Sequence, residues 1–226
     1  MTNGNLSVVQ GGFMTLKDLR TYLHPDCSST ILQATGDGSV LVLPDLTNIV
    51  ASECNGLAIQ ALAGGQILLT NLVQASGILA TADGAGTVSG VPGTVNLPAL
   101  RALTSSQLNI NGPGTILAPA LPFLQDIGVT VTGGGTLQLP GVVSAAQTPC
   151  NSLTWQASGD GSVFVLPALT NIAASECNGL AIQAVAGGQI VLTNLVQATG
   201  LLAAADGAGI VNGVPGTVNL SVLREL

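Results

Sequence analysis

Charge is what this sequence has least of. Of its 226 residues 7% are charged and 2% aromatic, and the only cations are Lys17, Arg20, Arg101 and Arg224. With a net charge of −7 there is nothing to neutralise a row of phosphates, so neither nucleic acid nor an anionic membrane surface is an expected partner. No run approaches 18 consecutive apolar residues, and the opening MTNGNLSVVQGG has neither the basic nor the apolar region of a signal peptide, so membrane insertion is not expected. With His24 the single histidine, no Ser-His-Asp set is possible beyond it, and it reads as a loop residue rather than a metal ligand. The four cysteines are spaced by 27 and 96 residues, which matches no zinc site. No glycine-rich phosphate loop leads into a helix; Gly84-Ala85-Gly86 and Gly133-Gly134-Gly135 read as turns. No cofactor is expected.

What is abundant is glycine, 30 residues of it, in a chain that is 47% hydrophobic and so has the apolar content a folded core requires. The stretch GDGSVLVLPDLTNI at Gly36 returns as GDGSVFVLPALTNI at Gly159, 123 residues later. Aligned on the glycine of a G-[ST]-V-x-L-P-x-L motif, nine units appear, at Gly12, Gly38, Gly65, Gly93, Gly114, Gly135, Gly161, Gly188 and Gly216. Their intervals run 26, 27, 28, 21 and 21, then 26, 27 and 28 again, so the duplication is a super-repeat of five unequal units.

The units share an alternation of two. Two residues after the glycine stand Met14, Val40, Ile67, Val95, Ile116, Leu137, Val163, Ile190 and Val218, an apolar column expected to point inward. One residue after it the column is polar in eight of nine units and is expected to point outward. Six residues before it lie Leu6, Leu32, Ile59, Thr87, Leu108, Val129, Trp155, Ile182 and Ile210, a second strand with an inward Ala34, Ala61, Ala157, Ala184 column and an outward Gln33, Gln60, Gln156, Gln183 column. Such strands bury one core only if the units stack, so the expectation is an all-β, right-handed parallel β-solenoid of nine rungs, a single domain over 1–226, on the order of 43 Å long. The recurring glycines are expected at corners, through a positive φ or through a space too tight for a Cβ. The pairs Leu43-Pro44, Leu97-Pro98, Leu139-Pro140 and Leu166-Pro167 fit strand ends or corners, with length variation in the segment that follows.

On GSVFVLPALTNI, GTVNLPALRAL and GTILAPALPFL the sequence resembles the parallel β-helix arrays of large bacterial secreted and cell-surface proteins that carry LPALT-like units. The resemblance implies a stalk, spacer or adhesive role rather than catalysis, and an extracellular or cell-surface location. The alternative it leaves open is a polysaccharide-acting enzyme or glycan-binding module, although no catalytic motif of such enzymes is matched.

Cys27, Cys54, Cys150 and Cys177 each lie 11 residues before a unit glycine. Adjacent rungs thus stack Cys27 on Cys54 and Cys150 on Cys177, near enough for disulfides, while the Ala82, Leu103, Leu124 and Ala205 at the same offset suggest an interior column that could instead hold buried thiols. Among the carboxylates, Asp37 and Asp160 sit in Gly-Asp-Gly turns, and Asp83 and Asp206 in similar ones. Asp26 and Glu53 share a column one rung apart and are the one calcium candidate, against a plain solvated pair. Leu41, Leu68, Phe164 and Val191, three residues after the glycine, should form an outward apolar stripe, covered by loops or exposed as a surface for adhesion. The row Thr94, Thr115, Thr136 admits a minor ice-binding reading. Since no cap is legible at either end, the chain is expected to be a section of a longer array covered by neighbouring rungs, or to associate end to end or laterally.

Overall fold

Three short strands recur in most turns of the chain, because runs of alternating residues are interrupted after three to six positions by glycine or by a Leu-Pro corner; in the two shortest turns two of the three run together as one ten-residue strand. The computed structural model describes residues 1–52, 56–84, 91–175, 177–206 and 215–224, and among these it is a β-solenoid without helix, every strand pair being parallel. The first face is a ladder from Leu6–Val9 and Thr30–Thr35 to Leu180–Val185 and Leu201–Asp206. The second comprises three-residue strands such as Val40–Val42 and Thr94–Asn96, and the third strands such as Thr21–His24 and Asn171–Ala173. Nine strands stack on each of the first two faces and eight on the third, so the coil makes about eight turns where nine rungs were expected.

The Leu-Pro motif is the corner between the second and third faces. Leu43, Leu97, Leu139 and Leu166 are fully buried, and three residues on Leu46, Leu100, Val142 and Leu169 are buried too. In each the later amide donates to the earlier carbonyl, as Leu100 N to Leu97 O at 3.2 Å, which closes a β-turn with proline in its second position. One turn thus drives two side chains into the core.

Seven of the nine unit glycines fall into two kinds. Only Gly38 and Gly161 of the nine unit glycines adopt a positive φ, 74° and 76°. At Gly65, Gly93, Gly114, Gly188 and Gly216 the backbone is not left-handed, but a Cβ would collide with the carbonyl of Ala34, Ala61, Ala82, Ala157 or Ala184 one turn below. Close approach of two backbones, not dihedral freedom, keeps this column glycine.

The exceptions reveal a register shift. Val40 pairs with Phe13 and Gln66, and Leu41 with Met14 and Ile67, so Ser39 rather than Gly38 occupies the glycine column; Ser162 does the same, with Phe164 between Leu137 and Ile190. Gly-Asp-Gly-Ser holds one extra residue. Both serines are fully buried, each hydroxyl donating to a carbonyl at 2.7 Å (Thr35 O, Ser158 O) and accepting a backbone N–H from the neighbouring turn at 3.0 Å (Gly11, Gly134). The inward column is therefore Met14, Leu41, Ile67, Val95, Ile116, Leu137, Phe164, Ile190 and Val218. Val40 and Val163, expected inside, face outward, while Leu41 and Phe164, expected in an outward stripe, are core residues at 0% exposure. The half-buried outward pairs are Val42 with Leu68 and Val165 with Val191.

Loop placement also departs from the expectation. Ile59 pairs with Ala80 and Ile182 with Ala203, so the extra residues of those rungs precede Gly93 and Gly216 instead of following a Leu-Pro corner. Thr87 and Ile210, expected in that column, lie outside the described residues, as do Ala85 and Gly86. The threonine row is interrupted: Thr94 pairs with Thr115, but Thr115–Leu117 and Thr136–Gln138 belong to different sheets.

Candidate functional site

The corner between the third and first faces carries most of the side-chain chemistry. In the shortest rungs the chain turns it within one continuous strand, Ala102–Asn111 or Phe123–Thr132, at a single left-handed residue: Ser105 at φ 47° and Asp126 at φ 55°. Gly77 and Gly200 turn it at φ 67° and 61°. Other rungs place loops there, over 25–29, 147–152 and, either side of position 176, 174–175 and 177–179, and these loops hold every described cysteine.

Near Cys27 the corner is tied by a polar chain. His24 is fully buried, with Nδ1 2.7 Å from Asn3 Oδ1 and Nε2 2.7 Å from the Ser28 carbonyl. Asn3 Nδ2 donates to Asp26 Oδ2 at 2.8 Å, while the Ser28 hydroxyl and backbone N–H donate to Asp26 Oδ1. The Ser28 hydroxyl, above all, holds the exposed Asp26 carboxyl below its usual range. Both Asp26 oxygens are thus engaged, Oδ1 by Ser28 of the same loop and Oδ2 by Asn3. Glu53, its suggested calcium partner, lies outside the described residues, among which no group of three or more His, Cys, Asp or Glu could hold a metal ion. The expectation of His24 as a loop residue is corrected: it ends the strand Thr21–His24 and points inward. Next to it Tyr22 is buried and donates to Gly4 O at 2.7 Å, and burial pushes its phenol pKa upward.

Cys150 and Cys177 form a disulfide, with Cα atoms 5.2 Å apart on adjacent turns. Cys27 is also disulfide-bonded, and its expected partner Cys54 lies outside the described residues. The interior column inferred for the cysteines is incorrect: Cys27, Cys150 and Cys177 are exposed, because Leu103 and Leu124, which share their offset from the glycine, stand in a strand pairing with Ala75 and Ala145 and not with any cysteine. Around the bond, Ser175 Oγ accepts from Cys150 N at 2.9 Å and Asn178 Nδ2 donates to Cys150 O at 2.7 Å. We expect loss of the Cys150–Cys177 bond to lower stability by about 3.5 kcal/mol, the chain-entropy value for a loop of this length, and phosphine, which also opens the Cys27 bond, to lower the thermal midpoint by at least the corresponding amount. Cys150→Ser/Cys177→Ser should lose this share of the stability without any reductant, and phosphine should lower its midpoint further only through the Cys27 bond; a midpoint untouched by the two substitutions refutes a stabilising role for the Cys150–Cys177 bond.

The remaining carboxylates separate as their turns do. Asp37 and Asp160 are exposed in the Gly-Asp-Gly corners between the first and second faces, and Asp83 sits at the end of Ile78–Asp83, its carbonyl accepting from Ala63 N and Gly93 N. Glu176 lies outside the described residues. Asp126, which no motif singled out, is buried at 5% exposure; its Oδ1 accepts from Thr148 N, Thr148 Oγ1 and Asn151 Nδ2 at 2.8, 3.1 and 3.2 Å. A lone Asp in FLQDIGV, where the turn positions of neighbouring rungs hold Gly or Ser, is the one signal that could have marked it.

No protein-family model, no curated protein and no solved structure matches this chain.

Proposed function

We propose that this chain is a rigid spacer and adhesive segment of a secreted or cell-surface protein, of the kind built from LPALT-like repeats in bacterial arrays. The observation that carries the reading is the unbroken stacking of the first face, in which each strand from Leu6–Val9 to Leu201–Asp206 pairs in register with the next over one core. A rod of this construction transmits distance and load along its axis while spending little sequence on its surface. Two further features support it. The disulfide joins exposed loops, which suits an oxidising compartment. Outward positions are mainly hydroxyl and amide side chains, with ladders such as Gln33 to Gln60 at 3.2 Å and Gln156 to Gln183 at 3.4 Å in place of charge. Partners are then further rungs of a longer chain or other copies of the rod, meeting the outer edges of Leu6–Val9 and Leu201–Asp206 or lying side by side.

A membrane-impermeant amine reagent applied to intact producing cells tests this. Labelling at the exposed Lys17 before lysis, together with a Cys150–Cys177 cross-linked peptide in a non-reduced digest, is the expected result. Labelling only after lysis, with alkylatable thiols at both cysteines, contradicts the proposal.

A further inference from the structure

A groove of about 290 Å³ opens at the corner where the two loop-free turns meet the disulfide-held loop, lined by Ser105, Gln107, Asp126, Asn151, Ser152 and Leu153 among others. We propose that it binds an uncharged saccharide through the free oxygens of Asp126 and Gln107.

Asp126 is nine-tenths buried, yet all three of its hydrogen bonds fall on Oδ1. Among the described residues no hydrogen bond reaches Oδ2, and Asp126 lines the groove. A carboxylate oxygen left half-desolvated is a strong acceptor for a hydroxyl, because charge-assisted hydrogen bonds are roughly twice as strong as neutral ones. Gln107 repeats the pattern. Its Nε2 spends both protons, on Asn109 Oδ1 at 3.0 Å and Thr130 Oγ1 at 3.2 Å, so its Oε1 remains an acceptor. That side chain lies across the α-carbon of Gly128, where a Cβ would collide with Oε1, so Gly128 provides the room that fixes the amide in place. The αL bends at Ser105 and Asp126 recess this corner, while Thr148 and Asn151 tie the longer loop to its rim through Asp126 itself.

The chemistry selects the ligand class. No cationic side chain lines the groove, so an anionic sugar or a phosphate would meet the Asp126 charge unopposed. A single carboxylate among hydroxyls and amides supplies too little charge to hold calcium. A neutral sugar fits both sets of groups: adjacent hydroxyls donate to Asp126 and Gln107 and accept from Ser152, and a C–H face meets Leu153. The volume is near the lower bound for small-molecule sites, which limits the ligand to a short saccharide. The adhesive reading gives this binding its use, but the groove itself stands on its own geometry.

The test is saturation-transfer NMR and calorimetry on the whole oxidised chain. The probes are methyl glycosides of glucose, galactose, mannose and N-acetylglucosamine with their disaccharides, plus glucuronate and calcium chloride as separate arms. At least one neutral glycoside should bind with Kd on the order of 1 mM, glucuronate should not, and Asp126→Asn should weaken binding at least about fivefold. Asparagine tolerates the left-handed φ and keeps the side-chain shape. Gly128→Ala should displace Gln107 and weaken binding similarly at an unchanged thermal midpoint, which keeps the test decisive if Asp126→Asn unfolds. No saturation by any neutral glycoside, binding unaltered in Gly128→Ala, or binding of calcium alone would each overturn the proposal. The surface-labelling result is independent of all three.

Discussion

Gly114→Val is expected to destabilise the protein by about 3 kcal/mol or more, beyond the usual cost of an over-packed site, because what it strikes is backbone. A Cβ at Gly114 would overlap the Ala82 carbonyl and approach Asp83 N, both part of the turn below. Neither can move away without opening the ladder in which Ala82 pairs with Ile110 and Asp83 with Asn111. Gly38→Ala is the informative control. Gly38 adopts φ 74°, but a Cβ there would meet nothing nearer than Gly11 Cα at 3.6 Å, so only the left-handed strain remains, about 1 kcal/mol. Gly77 is no neutral comparison: it looks like a variable-loop glycine, yet it combines φ 67° with carbonyls of Ala51 and Ser52 against its α-carbon, and Gly77→Val should be as harmful as Gly114→Val. Urea unfolding of the three variants measures the order. Equal midpoints for Gly114→Val and Gly38→Ala would mean that close backbone approach is not what keeps the column glycine.

Trp155→Ala is expected to cost about 3–5 kcal/mol, as removal of a large buried aromatic does. Trp155 is 1% exposed, meets Phe164 edge-on with ring centroids 5.5 Å apart at 88°, and donates its indole N–H to Ile127 O at 2.9 Å. Trp155→Phe separates packing from hydrogen bonding: it keeps most of the apolar volume but leaves the Ile127 carbonyl without its donor, a loss of about 1–3 kcal/mol. Denaturant titration distinguishes the two. A Trp155→Phe variant as destabilised as Trp155→Ala would show that the hydrogen bond, not the ring, holds this layer. The super-repeat equivalents, Leu32 and Leu41, fill the same places with aliphatic chains, so the aromatic pair adds volume to the second super-repeat rather than a new fold.

Much of the solenoid was legible in the residues because its determinants are local. Alternation of two tells inside from outside along any one strand: Ala34, Ala61, Ala157 and Ala184 are fully buried, and the Leu-Pro pairs are corners. The glycine column was legible too, although its cause is a carbonyl from another turn. Register was legible only where neighbouring rungs have equal lengths between strand and glycine. Gly-Asp-Gly-Ser shows why: counting from Gly38 places Val40 inside, whereas the ladder register, in which Val40 pairs with Phe13 and Gln66, places Leu41 there and puts a buried serine where other turns have glycine. One added residue inverts the faces of a strand, and nothing in that strand's own sequence, VLV, reveals the inversion, since both parities are apolar.

The same limit separates the cysteines and Asp126 from the rest. Equal offsets correctly paired Cys150 with Cys177 because both loops have the same length, but they grouped those loop residues with Leu103 and Leu124, whose rungs have no loop. The groove depends on the juxtaposition of a short turn with a long one, on the φ of 55° at Asp126, and on the absence of a side chain at Gly128 beneath Gln107. The sequence by itself determined the period, the alternation and the corners, which each unit encodes within its own 21 to 28 residues. Only the tertiary structure decided register, exposure of the loops and the recessed polar groove at Asp126, because these are set by contacts between turns of unequal length.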